Sequence, residues 1–235
     1  MTPEIIIRSF SDDQYTLDKV FYSNYYKLRK FEEKEQATVV DIGSHCGYFS
    51  MLCAMRGASK IYNVEPFTEN YRILLKNTES YLEKVENLKL GIYTENKLAN
   101  LGYPKFENNF FFFSKVNFNS EAELFDLNSF VTLDTLLESI KEPNIKLLKI
   151  NIGYAEIDIL KSSELVSNCE YVCGEVQANE ERMASLTEHM TSKGFKDSFY
   201  AQTSEDGKTL VFVFAKEKCE NLFEIRESST ENNEG

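Results

Sequence analysis

The chain has 235 residues, a net charge of −12 and 42% apolar residues, which suits one globular α/β domain with a sizeable core. No apolar run approaches the roughly 20 residues that span a bilayer. The start, MTPEIIIRSFSDD, lacks the basic, long apolar pattern of a signal peptide, so a cytoplasmic protein with no membrane partner is expected. The segment from Glu217 to Gly235 is acidic, yet the body remains negative without it and holds no basic cluster. Proteins that grip nucleic acid gain affinity by neutralising phosphates, so no nucleic-acid partner is expected. The cysteines, Cys46, Cys53, Cys169, Cys173 and Cys219, are odd in number and scattered. Cys169 and Cys173 share a predicted strand, where i and i+4 sit about 13 Å apart, beyond disulfide reach. With only His45 and His189 beside them no zinc pattern emerges, and no metal is expected.

In chain order, Ser11, Asp12 and Asp13 can cap a helical lead-in over 11–35, with Leu17, Val20, Phe21, Tyr25 and Leu28 at helical spacing. ATVVDIG (37–43) predicts a short buried strand ending in a glycine turn, and YFSMLCAMRG (48–57) a helix. KIYNVEP (60–66) is the next strand, followed by a helix from 68 to 85. This β-α-β-α order with short connections signals a parallel sheet covered by helices. Residues 88–92 suggest a third strand, and 109–118 a strand and hairpin. Thr132-Leu133-Asp134 opens a short helix, and IKLLKIN (145–151) is a further central strand with a helix after it. YVCGEVQ (171–177), a helix over 180–193, and a hairpin of FKDSFYAQ (195–202) and TLVFVFAKE (209–217) complete the order. The Asp206-Gly207 pair between the last two is a strong turn signal. The expected organisation is a lead-in over 1–36, the main domain over 37–216, and a disordered acidic tail over 217–235.

Asp41-x-Gly43-x-x-x-Gly47 stands at the carboxyl end of the first strand, where open α/β sheets bind ligands. The glycines permit a tight turn and close backbone approach. A dinucleotide loop would read G-x-G-x-x-G. Here the first position is an acid, which repels phosphate and suits the cationic amine and sulfonium of S-adenosylmethionine. Glu65-Pro66 ends the second strand, where an acid can take both ribose hydroxyls of a nucleoside.

These stretches resemble the FkbM-type methyltransferases, a branch of the S-adenosylmethionine-dependent Rossmann-like enzymes. The resemblance runs from Val39-Val40-Asp41-Ile42-Gly43-Ser44-His45-Cys46-Gly47-Tyr48-Phe49-Ser50 to Val64-Glu65-Pro66 with Asn70-Tyr71-x-x-Leu74-x-x-Asn77. It continues through Thr132-Leu133-Asp134-x-Leu136-Leu137, Leu148-Lys149-Ile150, Tyr171-Val172-x-x-Glu175 and Gly194-Phe195. It implies a class I methyltransferase fold: α/β, Rossmann-like, a seven-stranded, mostly parallel sheet with an antiparallel last strand and helices on both faces. It implies S-adenosylmethionine as cofactor and O-methylation of a sugar, glycoconjugate or similar small acceptor, so the expected partner is a small molecule or glycan. The cofactor set expected is Asp41, Gly43, Ser44, His45, Gly47, Tyr48, Phe49, Glu65, Pro66, Ile92 and Asn151.

The fourth-strand end departs from the pattern. The family reads Lys-Ile-Asp-Val-Glu-Gly-Ala-Glu; this chain reads Lys149-Ile150-Asn151-Ile152-Gly153-Tyr154-Ala155-Glu156. Asn151 cannot take a proton at neutral pH, but its amide oxygen can hold a hydroxyl or an amine. Asn151, Tyr154, Glu156 and Glu175 are the catalytic candidates, with Asp134 and His45 also open as the base. Two alternatives stand beside O-methylation: a domain that binds cofactor without transferring methyl, and an N-methyltransferase using Asn151 and Tyr154, an echo of Asn-Pro-Pro-Tyr.

Overall fold

The computed structural model describes residues 5–9, 11–32, 36–102, 125–153, 155–203 and 209–225. In chain order its elements begin with α1 (Asp13–Leu17), continued by a π-helical turn over Asp18–Tyr22. Then come β1 (Thr38–Ile42), α2 (Tyr48–Met55), β2 (Lys60–Val64), α3 (Thr68–Asn77), β3 (Val85–Leu88), β4 (Gly91–Ile92) and β5 (Lys97–Gly102). They continue through β6 (Phe125–Val131), α4 (Leu133–Ile140), β7 (Ile145–Ile150), α5 (Glu156–Ser162), β8 (Cys169–Gln177), α6 (Glu180–Ser192), β9 (Asp197–Gln202) and β10 (Thr209–Ala215).

β1 is buried at every position, as a strand with both faces covered must be. It pairs in parallel with β2 on one side and β7 on the other. The main sheet has the order β3-β2-β1-β7-β8-β10-β9. Strands β3, β2, β1, β7 and β8 run parallel, and β10 is antiparallel to both neighbours. This is the class I methyltransferase sheet that the resemblance implied.

One core lies between the sheet and α4, α5 and α6: Leu136, Ile157, Leu160, Met183 and Leu186 meet Val40, Ile42, Leu148, Ile150 and Phe212. Thr132 caps α4 by accepting from the Thr135 N–H, and Asn179 caps α6 by accepting from the Arg182 N–H. The opposite face carries α2 and the segments around residues 26–31 and 219–223, where Phe49 and Cys53 pack with Tyr26, Leu28, Phe31, Leu222 and Phe223. Among the described residues no helix is long and apolar enough to cross a membrane.

Three expectations change. Among the described residues the lead-in is helical only over residues 13–22. Asn24 ends it, because its Oδ1 accepts from the Leu28 N–H at 3.0 Å and its Nδ2 donates to the Leu28 carbonyl at 2.9 Å. Local side-chain bonds of this kind compete with helix. The stretch 88–92 divides, with β3 ending in the main sheet and β4 joining a second, three-stranded sheet of order β4-β6-β5. The predicted strand and hairpin over 109–118 lies outside the described residues. Finally, residues 217–225, counted in sequence as tail, enter the fold. Phe223 pairs with Leu28, the Arg29 N–H donates to the Leu222 carbonyl at 2.8 Å, and Cys219, Leu222 and Phe223 are buried.

Candidate active site

The sheet's strand order reverses between β1 and β7, and ligands of such sheets bind beyond the carboxyl ends of the strands at that point. A cavity of about 290 Å³ lies there. Its wall includes Gly43, His45, Glu65, Pro66, Ile92, Asn151, Glu156 and Glu175 from the expected set. Asp41, Ser44, Gly47, Tyr48 and Phe49 are not on it.

Asp41 is the largest departure from expectation. Its carboxylate is fully buried, paired with Lys149 Nζ at 2.9 Å through Oδ1, and it accepts from Ser50 Oγ at 2.9 Å through Oδ2. Asp41 and Lys149 are register partners across β1 and β7. The Lys149 ammonium donates to the Gly43 carbonyl at 2.8 Å and the Ile42 carbonyl at 3.3 Å, so its contact with Asp41 is an ion pair rather than a third hydrogen bond. The acid expected to meet a cofactor amine thus lies beneath the turn and holds the lysine that holds the turn. Gly43 has φ +75, and a Cβ there would stand 2.0 Å from the Asn151 carbonyl oxygen. This glycine lets the ends of β1 and β7 touch. Gly47 (φ +86) starts α2 against Leu74. Ser44 is buried and ties β1 to β2, its Oγ donating to the Asp41 carbonyl at 2.6 Å and accepting from the Val64 N–H at 2.9 Å. Phe49 is core, edge-on to Tyr26, and Tyr48 packs under the N-terminal segment with Leu17.

Glu65 is buried on the cavity wall. Oε1 accepts from the Phe67 N–H at 3.0 Å and Asn70 Nδ2 at 3.3 Å, and Oε2 from the His45 N–H at 2.9 Å. Burial pushes its pKa up, and these hydrogen bonds oppose that rise. Asn70 Oδ1, on the same wall, is buried and has no hydrogen-bond partner. A buried acceptor left without a donor fits a site that a ligand completes.

The N-terminal segment clamps the turn after β1. Arg8 binds the buried Asp13 carboxylate through Nε at 2.8 Å and Nη2 at 2.7 Å. Nη2 also stands 3.3 Å from His45 Nε2 and 3.4 Å from Cys46 Sγ. Arginine can only donate, so Nε2 is the imidazole's acceptor. Burial pushes the His45 pKa down to about 4, so the ring is neutral at neutral pH. Asp13, His45 and Cys46 lie close enough together to hold a metal ion. The Arg8 guanidinium already supplies the cation among them. Burial alone would raise the Asp13 pKa, but the Arg8 hydrogen bonds outweigh it and hold the carboxyl below its ordinary value.

Across the cavity, Asn151 Nδ2 donates to Tyr26 Oη at 3.1 Å. Glu175 Oε2 accepts from Tyr25 Oη at 2.6 Å and Lys19 Nζ at 2.8 Å. Both tyrosines are shifted up, first by burial and then by Glu175, and stay protonated, Tyr25 donating and Tyr26 accepting. Glu156 spans the strand-to-helix turn, its Oε1 accepting from the Ile152 and Gly153 N–H groups at 2.8 and 2.5 Å. Asp134 is not on the cavity wall; it ties the end of α5 by accepting from Ser163 Oγ and the Glu164 and Leu165 N–H groups. Tyr154 lies outside the described residues.

Sequence reading missed Lys149, Lys19, Tyr25, Tyr26 and the Arg8–Asp13 clamp. Lys149 carried a usable signal. A lysine inside the buried run IKLLKI needs an anion, and Asp41 is the acid on the other central strand. The others belong to the lead-in, whose return to the cavity no local pattern announces.

No curated protein matches the chain in sequence at a significant level. Among solved structures, the METTL16 MTase domain is 11% identical with a TM-score of 0.49, covering 86% of this chain and 66% of that one. The chain thus spans just under two thirds of that domain. The N-terminal domain of human METTL16 in complex with SAH is 11% identical with a TM-score of 0.47, covering 87% and 68%. A putative RNA methyltransferase, PH1948 from Pyrococcus horikoshii, is 13% identical with a TM-score of 0.44, covering 86% and 81%. The expectation of no nucleic-acid partner is corrected on this finding, since the similar structures include a protein described as an RNA methyltransferase. The charge of a whole chain, moreover, does not report on the mouth of one cavity. The family model for the methyltransferase FkbM domain matches residues 41–196. That is more than half of the chain, and the protein belongs to the FkbM methyltransferase family, whose cofactor is S-adenosylmethionine.

Proposed function

We propose that the protein transfers the methyl group of S-adenosylmethionine to a hydroxyl of a sugar-like or other small acceptor, with Glu175 as general base. The observation that carries this reading is the state of Glu175. Its Oε2 is occupied by Tyr25 and Lys19, while no described residue donates to Oε1. The other candidates are placed differently. Glu156 is fully buried, with Oε1 held by two backbone N–H groups of its own turn, Asp134 is off the wall, and His45 Nε2 already accepts from Arg8.

When bound, S-adenosylmethionine supplies a methyl group already activated on a sulfonium. The protein's share is alignment and proton removal. Glu65 and the turn at Gly43 are the cofactor-facing side of the wall. Asn151 directs its amide nitrogen to Tyr26, and its amide oxygen is left to accept from the acceptor's hydroxyl. Glu175 Oε1 would take the proton of the acceptor's hydroxyl. Lys19 and Tyr25 hold the carboxylate in place for that step.

The test is Glu175→Gln, scored by methyl uptake from labelled S-adenosylmethionine against a panel of free sugars, glycoconjugates and RNA. Uptake by a sugar-type hydroxyl that falls about 10²- to 10⁴-fold in the variant, with S-adenosylhomocysteine binding unchanged, is the expected result. Full activity of the variant removes Glu175 from the mechanism.

A further inference from the structure

Glu65 is able to hold only part of a nucleoside's ribose. A carboxylate oxygen offers two lone-pair directions. Oε1 has both taken, by the Phe67 N–H and by Asn70 Nδ2. Oε2 has one taken, by the His45 N–H. One acceptor direction therefore remains for two adjacent ribose hydroxyls, so the bidentate grip expected from the sequence is not open to this glutamate.

Asn70 stands beside it in the first turn of α3. Because Glu65 accepts, the Asn70 amide must turn its nitrogen toward the carboxylate. That orientation leaves Oδ1 as an acceptor with no partner, on a residue 6% exposed that lines the same cavity. A buried acceptor in this state lacks a donor, and a diol next to Glu65 would present one.

We propose that Asn70 is a cofactor-binding residue that divides the ribose diol with Glu65, Glu65 Oε2 accepting from one hydroxyl and Asn70 Oδ1 from the other. The inference rests on the reading of this cavity as the S-adenosylmethionine site. It makes the ribose site a relay of two residues in which one amide both orients the acid and replaces half of its function.

Calorimetric titration with S-adenosylhomocysteine and its 2′-deoxy and 3′-deoxy analogues tests it. Wild-type protein should bind the parent and lose about three- to tenfold in affinity for each analogue, the worth of one hydrogen bond. Asn70→Leu should weaken the parent by a similar factor and should leave one deoxy analogue within about twofold of its wild-type affinity. Glu65→Gln should spare the other analogue. If Asn70→Leu acted only by misplacing Glu65, both variants would spare the same analogue, and the proposal would fall. It also falls if wild type binds either deoxy analogue as tightly as the parent, a comparison that needs no variant. Absence of any S-adenosylhomocysteine binding by folded wild type would overturn the cavity assignment itself, which separates the two failures.

Discussion

Lys149→Met breaks the ion pair beneath the cofactor turn. In the native protein the ammonium meets Asp41 Oδ1 at 2.9 Å, the Gly43 carbonyl at 2.8 Å and the Ile42 carbonyl at 3.3 Å. Methionine keeps much of the stem volume and removes all three contacts. Asp41 is then left with Ser50 as its hydrogen-bond donor, a buried carboxylate without a counter-charge. Removing one partner of such a pair costs about 3–5 kcal/mol. Against a total stability on the order of 5–15 kcal/mol that is a large fraction. For a chain of this size it lowers Tm by roughly 6–20 °C. Urea unfolding followed by far-ultraviolet circular dichroism measures it, with the Asp41→Asn/Lys149→Met double variant as the second arm. The double variant leaves no unpaired charge at this position and should recover more than half of the loss. A single variant within about 1 kcal/mol of wild type, or a double variant no more stable than the single, would refute the reasoning.

His45 carries a pH signature. Its folded pKa, about 4 through burial, lies below the ordinary 6.5, so the unfolded chain binds the proton more readily. The associated stability is complete above the unfolded value and is lost as pH falls toward the folded one, amounting to about 2 kcal/mol by pH 5. Urea midpoints at pH 7.5 and pH 5 should differ more for wild type than for His45→Asn, and equal slopes would count against a neutral buried ring. Truncation after Lys216 should destabilise by at least about 3 kcal/mol, the scale of losing one buried phenylalanine such as Phe223. An unchanged Tm would mean that residues 217–225 contribute nothing to the fold.

The sheet was legible because its strands are distinct in sequence. ATVVDIG, KIYNVEP and IKLLKIN are apolar, β-branched runs bounded by glycine, proline or polar residues, and each became a parallel strand. The glycine turn and Glu65 were legible for the same reason, since the chemistry of a strand end is local. The acceptor side was not. The residues that hold it, Lys19, Tyr25 and Tyr26, sit more than a hundred residues before Glu175 and Asn151. They reach the cavity because Asn24 stops the helix and Phe223 receives Leu28. Helical spacing placed Leu28 on a helix face, when its burial comes instead from the C-terminal segment. The role of Asp41 was hidden by a subtler cause. An acid at a strand end looks the same in sequence whether it faces a ligand or the strand beside it. The register with Lys149 decides between them.

That register also bears on the proposed site, in which Asn151 stands where the family pattern carries an acid. At the end of β7 a carboxylate would stand on the same sheet face as Asp41 and beside Glu175 on β8, since Lys149 and Asp41 are paired and Ile150 faces Gly174. Lys149 is already paired with Asp41 and bonded to two carbonyls, and Lys19 is paired with Glu175. A further anion at position 151 would have neither cation, while an amide at the same place donates to Tyr26 and keeps an acceptor for substrate. The carboxylate proposed to remove the proton is then one strand away, Glu175, held by Lys19 and Tyr25. On the proposed mechanism the base therefore stands at the end of β8 rather than of β7. Asn151→Asp puts this to the test: the added carboxylate should weaken methyl transfer through repulsion of Glu175 rather than restore a lost function, and a gain in activity would return the base to β7.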